Sequence, residues 1–331
     1  MIRVGLLENA LKSLQETIDP GIVPDGLSMG QAAPPLEPTG HWVHDLDPVM
    51  VQLGPIPLRY YSLAYILGLV LALWLAQYLA RRRRIAMNAE QASDMFLFYG
   101  LLGIIIGGRL GYVFLYDLKS NLENPANIIM VWKGGMASHG GIVGVAVAFW
   151  LFARRIKVPA LHVFDVAALT APIGLCLGRV ANFINGELWG RPTDVSWGVI
   201  FPAAGHPPIP RHPSQLYEAL GEGLILFLIA LLLHRKLLPR TGALTAIFLM
   251  GYSIARIVSE QFREPDRHIG LQAFDLTRGQ ILTFFLVAAS LWVGYRVIKG
   301  QTPSWTPLPE EPAADAGSSQ GGKAAKAKKS G

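Results

Sequence analysis

Residues 60–80 run for about twenty positions with only Ser62 and Gln77 strongly polar, then meet the run Arg81-Arg82-Arg83-Arg84. At 1.5 Å of rise per residue, a helix of about twenty apolar residues covers a hydrocarbon core of about 30 Å. Six more segments have this character, at 94–116, 139–153, 162–180, 216–233, 242–260 and 279–297, the third and fourth spans being short and broken by Gly or Pro. The expected fold class is therefore all-α, a polytopic membrane protein with about seven transmembrane helices. Composition agrees, since 51% of residues are hydrophobic and 16% charged, where soluble domains carry about 25% charged residues. These totals exclude a disordered chain, a collagen-like fibre and a disulfide-stapled secreted module. A single cysteine, Cys176, closes no intramolecular bridge and builds no thiolate metal site.

Orientation follows from the basic loops. Arg81–Arg84, Arg154-Arg155-Ile156-Lys157, His234-Arg235-Lys236, and Arg296 with Lys299 and the tail share one side of a seven-span chain. Under the positive-inside rule that side is cytoplasmic, which puts the N-terminus outside and the C-terminus inside. The outer loops are then 117–138, 181–215 and 261–278, and the Gly-, Pro- and Trp-rich stretch 181–215 is expected to form a small extracytoplasmic cap. The net charge of 29 − 23 = +6 reads as loop charge facing anionic lipid rather than a nucleic-acid footprint. Residues 1–44 are expected to be a partly disordered N-terminal extension, with a short amphipathic helix over 1–15 and a Pro-rich linker to Thr39. That stretch lacks the apolar core of a signal peptide, so the first span is expected to direct insertion. The membrane domain is expected over 45–298 and a disordered cytoplasmic tail over 299–331. Gly103, Gly107 and Gly111, with Gly140 and Gly144, sit at spacing four, which favours close helix packing over a lipid-access groove.

A charge near the bilayer centre costs at least about 2.5–3.5 kcal/mol, and Arg109, Asp165, Arg179, Glu218, Glu222, Arg256 and Glu260 lie in or at the edges of spans. Arg109, Arg179 and Arg256 fall towards the outer ends of spans two, four and six. Converging guanidinium forks at one depth suit a phosphate; the alternative is that each pairs with a carboxylate or snorkels. In Gly178-Arg179-Val180-Ala181-Asn182-Phe183-Ile184-Asn185-Gly186-Glu187-Leu188-Trp189-Gly190, Arg179 and Asn182 share a helical face. Gly186 then ends the helix, so that Glu187 turns back towards them. Arg256, Glu260 and Arg263 project from one face at spacings four and three, either as an internal salt-bridge ladder or facing a polar cavity. His139, in a glycine-flanked turn, is a general-base candidate or a helix cap, with His212 ranked second. Cys176 sits mid-span as a small apolar filler. No His-Glu-x-x-His zinc site, Gly-x-Ser-x-Gly elbow or phosphate-cradling Gly-rich loop is present.

Taken in order, Gly107-Gly108-Arg109-Leu110-Gly111-Tyr112, His139-Gly140-Gly141, the block Gly178–Gly190, Arg211–Glu218 and Gly251-Tyr252 through Asp266 resemble the bacterial prolipoprotein diacylglyceryl transferases over roughly residues 45–298. One departure is Ser62, where the family usually has glycine after the tyrosine that Tyr61 matches. The resemblance implies a seven-helix enzyme of the bacterial plasma (inner) membrane with its site open to the outer face. It implies transfer of the diacylglyceryl group of phosphatidylglycerol to the lipobox cysteine of a prolipoprotein, giving a thioether and glycerol phosphate, with no metal or nucleotide cofactor. On this sequence, Arg179 and Arg256 would clamp the phosphate and His139 would accept the thiol proton, an arginine-stabilised thiolate without a dedicated base being the alternative. Tyr61 would line the headgroup pocket, and Arg109, Asn182, Glu187, Gly190, Glu260 and Arg263 would bind or orient substrate. Rival readings of the same residues are a flippase for anionic lipid and a lipid-binding partner subunit; no repeat or pair of matched halves supports a transporter.

Overall fold

The computed structural model describes residues 40–205, 207–264 and 278–305. The expected helix over 1–15, the linker up to Thr39, most of the 261–278 loop and the tail beyond 305 lie outside the described residues.

Among the described residues, seven long helices organise the fold: α1 Tyr60–Arg81, α2 Ala89–Leu115, α3 Ser138–Arg155, α4 Ala160–Ile184, α5 Ser214–Leu237, α6 Ala243–Glu260 and α7 Arg278–Ile298. Of these, α1, α2, α4, α5 and α6 are long and apolar enough to cross a membrane. Helix α3 spends part of its 18 residues on Ser138, His139 and the Arg154–Arg155 pair, and the apolar part of α7 is the shorter Thr283–Ile298.

Local chemistry explains where several helices begin. α2 starts earlier than its apolar run because Asn88 and Gln91 form a reciprocal cap: the Gln91 N–H donates to Asn88 Oδ1 at 2.7 Å and the Asn88 N–H to Gln91 Oε1 at 2.9 Å. α6 starts after Gly242, whose φ of 95° favours glycine. Its first N–H groups are capped from another helix, since Asp165 of α4 accepts from Gly242 N at 2.6 Å and Thr245 N at 2.8 Å. That assigns one of the expected buried charges to holding α4 and α6 together. Two helices widen into π-helical turns, α2 at Asp94–Gly100 and α5 at Ala219–Ile225. Such turns accommodate an extra residue and occur frequently at functional sites.

Helices α2 and α3 pack backbone to backbone. A Cβ at Gly107 would lie 2.6 Å from the Gly144 Cα, and one at Gly144 2.7 Å from the Gly107 Cα, so both positions exclude a side chain. The spacing-four glycines therefore serve packing here, not a groove. Around Leu79, Met95, Phe152, Val163, Leu169 and Leu244, the helices bury an apolar core at the end of the bundle next to Arg81–Arg84. At that end the chain beyond α7 folds back: the Trp305 N–H donates to the Pro239 carbonyl at 3.0 Å, Thr241 donates to the Pro303 carbonyl, and the Trp305 ring lies 5.0 Å from the His162 ring. The expected start of the tail, 299–305, is thus tied to the α5–α6 connection.

The opposite end carries short strands that helix-based reading does not anticipate. β1 Trp42–Val43, β4 Val199–Ile200 and β5 Pro210–Arg211 form a three-stranded sheet in the order β1-β4-β5, with β1 parallel and β5 antiparallel to β4. A hairpin, β2 Val49–Leu53 and β3 Ile56–Arg59, leads straight into α1. His44 fastens the sheet to α4 by a 2.7 Å hydrogen bond to the Phe183 carbonyl, among the rings of Trp42, Phe183 and Phe201. Residues 42–44, expected in the extension, are thereby built into the cap.

Candidate active site

Three helix ends meet under the cap because one short stretch laces them together. After Ile184, Gly186 takes φ +63° and turns the chain back. Gly190 then runs between two other segments: its N–H donates to the His212 carbonyl at 2.9 Å, and the next N–H, of Arg191, donates to the Phe262 carbonyl at 2.8 Å. A Cβ on Gly190 would sit 2.5 Å from both carbonyl oxygens, so any other residue would force the segments apart. Arg211 and Arg191 brace the junction through their guanidinium groups, Arg211 to the Gly190 carbonyl at 3.0 Å and to Glu264, Arg191 to the Arg263 carbonyl at 2.9 Å. The C-terminal end of α4, the N-terminal end of α5 and the C-terminal end of α6 are held at one point.

That point is an ion-pair cluster. Glu218 and Glu222 of α5 stand at its centre, 1% and 0% exposed. Arg179 of α4 lies 2.9 Å from Glu218 Oε2 and 3.3 Å from Glu222 Oε2. Arg256 of α6 reaches Glu218 at 3.0 Å, Glu222 at 3.4 Å and Glu260 at 2.8 Å. Arg263, just past α6, adds a contact to Glu218 at 3.3 Å. Ser259 also donates to Glu222, at 3.4 Å. Three arginines against three glutamates sum to zero charge, which is the condition for burying ions at this density. The arginines keep an open side: their side chains remain 18% exposed at Arg179 and 13% at Arg256. A guanidinium has five N–H donors in a planar fork, so two such groups anchored from behind can still present N–H to an anion in front.

Beside the cluster, Asn182 and Asn185 donate to Glu187 Oε1 at 2.7 and 3.3 Å, and Gln215 donates to the Glu187 carbonyl at 2.6 Å. Tyr61, at the start of α1, lies 3.0 Å from the Tyr65 hydroxyl, and Tyr65 is within electrostatic reach of Arg179 and Glu187. Tyr252 of α6 stands in the fields of Glu222, Arg256, Arg179 and Glu218. On the cap side, partial burial pushes the His212 imidazole pKa down; its Nδ1 lies 3.2 Å from the Tyr217 hydroxyl.

The structure brings together Arg179, Asn182, Glu187, Gly190, Arg256, Glu260 and Arg263. It does not bring Arg109 into that cluster. Arg109 is buried and spends its donors on loop carbonyls, those of Ile128 at 3.1 Å, Gly134 at 2.6 Å, Gly135 at 3.0 Å, and Asn127. The trio of converging arginines is thus Arg179, Arg256 and Arg263, and the pairing of each with a carboxylate is part of the observed geometry. His139 lies at the first turn of α3, half-buried, with no side-chain hydrogen bond to a described residue. Glu218 and Glu222 are the residues that sequence reasoning noticed as costly but gave no role. Their signal was two carboxylates four apart on an otherwise apolar helix, which demands cations from other helices. Among the described residues no group of three or more His, Cys, Asp and Glu side chains is arranged to hold a metal ion.

A model of the prolipoprotein diacylglyceryl transferase family matches residues 48–296. The chain is 51% identical over 242 residues to the phosphatidylglycerol–prolipoprotein diacylglyceryl transferase of Pseudoalteromonas atlantica, covering 72% of this chain and 84% of that protein. It is 46% identical over 255 residues to the protein of that name from Coxiella burnetii (76% and 96% covered). For the Rhodospirillum rubrum protein of the same name, identity is 48% over 251 residues (75% and 91%).

Proposed function

This chain belongs to the prolipoprotein diacylglyceryl transferase family, and we propose that it transfers the diacylglyceryl group of phosphatidylglycerol to the lipobox cysteine thiol of prolipoproteins. The observation that carries this is the cluster of Arg179, Arg256 and Arg263, anchored by buried glutamates yet open on one side. Such a site is built for a phosphate that must become a leaving group.

In the reaction, the thiolate sulfur attacks the glyceryl carbon that bears the phosphate. The C–S bond forms as the C–O bond breaks, and the electron pair leaves on the phosphate oxygen of glycerol phosphate. Arg179 and Arg256 bind that phosphate and stabilise the charge it gains. Their positions are preset by Glu218 and Glu222, so no reorganisation is needed when the charge develops. His139 takes the thiol proton; forming thiolate from a free thiol of pKa about 8.5 otherwise opposes the reaction at neutral pH. Asn182 and Glu187 orient the groups in front of Arg179. Glu260 and Arg263 steady Arg256 and Glu218, and Tyr61 lines the headgroup pocket. Gly190 keeps the three helix ends together, and Arg109 shapes the loop that leads into His139.

All seven helices span the bacterial plasma membrane in this reading, with the cluster towards the outer face and the C-terminus in the cytoplasm. Support comes from position: the basic runs Arg81–Arg84, Arg154–Lys157 and His234–Lys236 begin in the last turns of α1, α3 and α5 at one end, while the cluster closes the other. The test combines purified protein, labelled phosphatidylglycerol and a lipobox peptide with a free thiol. The peptide gains a diacylglyceryl mass with the native chain and none with Arg179→Ala; no mass gain with folded native protein refutes the proposal.

A further inference from the structure

The turn that ends α4 is a Schellman motif, with Gly186 as its left-handed residue at φ +63°. The Glu187 N–H donates to the Asn182 carbonyl at 3.1 Å and the Gly186 N–H to the Phe183 carbonyl at 2.9 Å, the two bonds that define the motif. Such a turn is frequently steadied by an apolar contact between the two side chains that here are Asn182 and Glu187. In this chain the pair is polar, joined by a 2.7 Å hydrogen bond from Asn182 to Glu187. The site in front of Arg179 gains an amide and a carboxylate, and the turn loses the contact that would hold it.

His44 supplies a substitute from the start of the cap. Its N–H donates to the Ile200 carbonyl at 2.8 Å, which carries the pairing of β1 with β4 one residue further. Its ring Nε2 lies 2.7 Å from the Phe183 carbonyl, the same oxygen that accepts from Gly186. A carbonyl only accepts, so Nε2 carries the proton. A Cβ on Gly186 would lie 3.2 Å from both Cε1 and Nδ1 of His44, so the ring is set close against the left-handed residue. The imidazole is buried and stands edge to face with Phe183, ring centres 5.5 Å apart. One side chain thus meets both an acceptor of the turn and its glycine.

We propose that His44 is a positioning residue for the transfer reaction: through the Phe183 carbonyl and Gly186 it fixes Glu187 opposite Asn182, and with them the groups in front of Arg179. This role rests on the reading of those residues as part of a transferase site. Arg179 itself is held by Glu218 and Glu222 of α5. Loss of the His44 donor therefore leaves the phosphate clamp in place and loosens what faces the reacting atoms.

His44→Phe keeps a ring against Gly186 and removes the donor, whereas His44→Gln restores an N–H at the reach of Nε2. In the transfer assay, His44→Phe should lower kcat about ten-fold, within the ~100-fold that a 1 Å misplacement can cost. The KM for phosphatidylglycerol should stay native, since binding of the ground state is kept. His44→Gln should recover most of the rate. His41→Gln is the control, because His41 bonds the Gly198 carbonyl at 3.2 Å in the same cap, and it should keep the native rate. A native kcat in His44→Phe, a loss that His44→Gln does not recover, or one that His41→Gln shares, overturns the proposal. Amide exchange reads the turn without any reaction: in His44→Phe it should rise several-fold over 182–190 and stay native over 214–218. Unchanged exchange over 182–190 overturns the positioning role while leaving the transferase reading intact. Absence of transfer by the native protein removes that reading, and exchange then decides the hold of His44 on the turn. Should His44→Phe fail to fold, nitrogen NMR of the histidine-labelled native protein decides: a protonated Nε2 on His44 upholds the bond to Phe183, and a bare one overturns it.

Discussion

Replacing Glu218 with Gln tests the physical logic of the site most directly. The glutamate is 1% exposed and lies within ion-pair distance of three arginines, at 2.9 Å from Arg179, 3.0 Å from Arg256 and 3.3 Å from Arg263. The substitution conserves shape and removes one negative charge, so a cluster that summed to zero becomes +1. Breaking a buried ion pair on one side costs about 3–5 kcal/mol, because the remaining charge stays desolvated and uncompensated. At about 2.1 cal/mol/K of unfolding entropy per residue, a chain of 331 residues shifts by about 1.4 °C per kcal/mol, so the unfolding midpoint should fall by about 4–7 °C. The missing charge has the sign and size of a phosphodiester. Phosphatidylglycerol should therefore raise the variant's midpoint more than the native protein's, the lipid phosphate standing where the carboxylate was. Scanning fluorimetry in a neutral detergent, with and without the lipid, reads both quantities. A Glu218→Gln protein that unfolds with the native one, or that gains no extra stabilisation from the anionic lipid, would show that the carboxylate is not the arginines' counter-ion.

Further outcomes follow from the same geometry. His139→Asn should slow transfer most near neutral pH and regain rate as pH rises towards the substrate thiol's pKa of about 8.5; a pH profile parallel to the native one would remove the base role. Gly144→Ala should destabilise the α2–α3 contact by about 1–3 kcal/mol through overpacking, and an unchanged denaturation midpoint would contradict the backbone contact at Gly107. Because burial depresses the His212 pKa, the native state disfavours its protonation. Its contribution to stability is intact above the ordinary value of about 6.5 and declines as pH falls through that range. His212→Gln should flatten the fall in unfolding midpoint between neutral and mildly acidic pH, and an unaltered slope would assign the effect elsewhere.

The long apolar runs made the helices legible, since period and length suffice to mark a buried helix. Arg179, Asn182 and Glu187 were readable as a group because Gly186 lies where a helix must end and the chain return. Arg256 and Glu260 were readable from their spacing. What stayed hidden depends on partners remote in the chain. Nothing near Arg109 announces that its guanidinium is enclosed by carbonyls of residues 127, 128, 134 and 135. Glu222 meets arginines 43 residues before it and 34 after it. The hairpin over 49–59 was hidden for another reason. Gly54, Pro55 and Pro57 mark a turn, but two strands of five and four residues are too short for their alternation to stand out beside a twenty-residue apolar run. The early start of α2 was available in Asn88 and Gln91, although a polar stretch after four arginines reads more readily as loop.

The π-helical turn at Ala219–Ile225 carries Glu222 itself and joins the half of α5 that ends at Glu218 to the half that bears the apolar stripe of Leu226 and Ala230. Each half must face its own partners, and the wider turn supplies the angular offset between them. In an ordinary lipid-facing helix, losing one residue moves side chains around a surface that is alike on all sides. Here the same loss would rotate the carboxylates away from the arginines or the stripe away from its neighbours. The number of residues in this helix is therefore as much a part of the site as their identity, and gaps in α5 should be rarer than substitutions when related chains are compared.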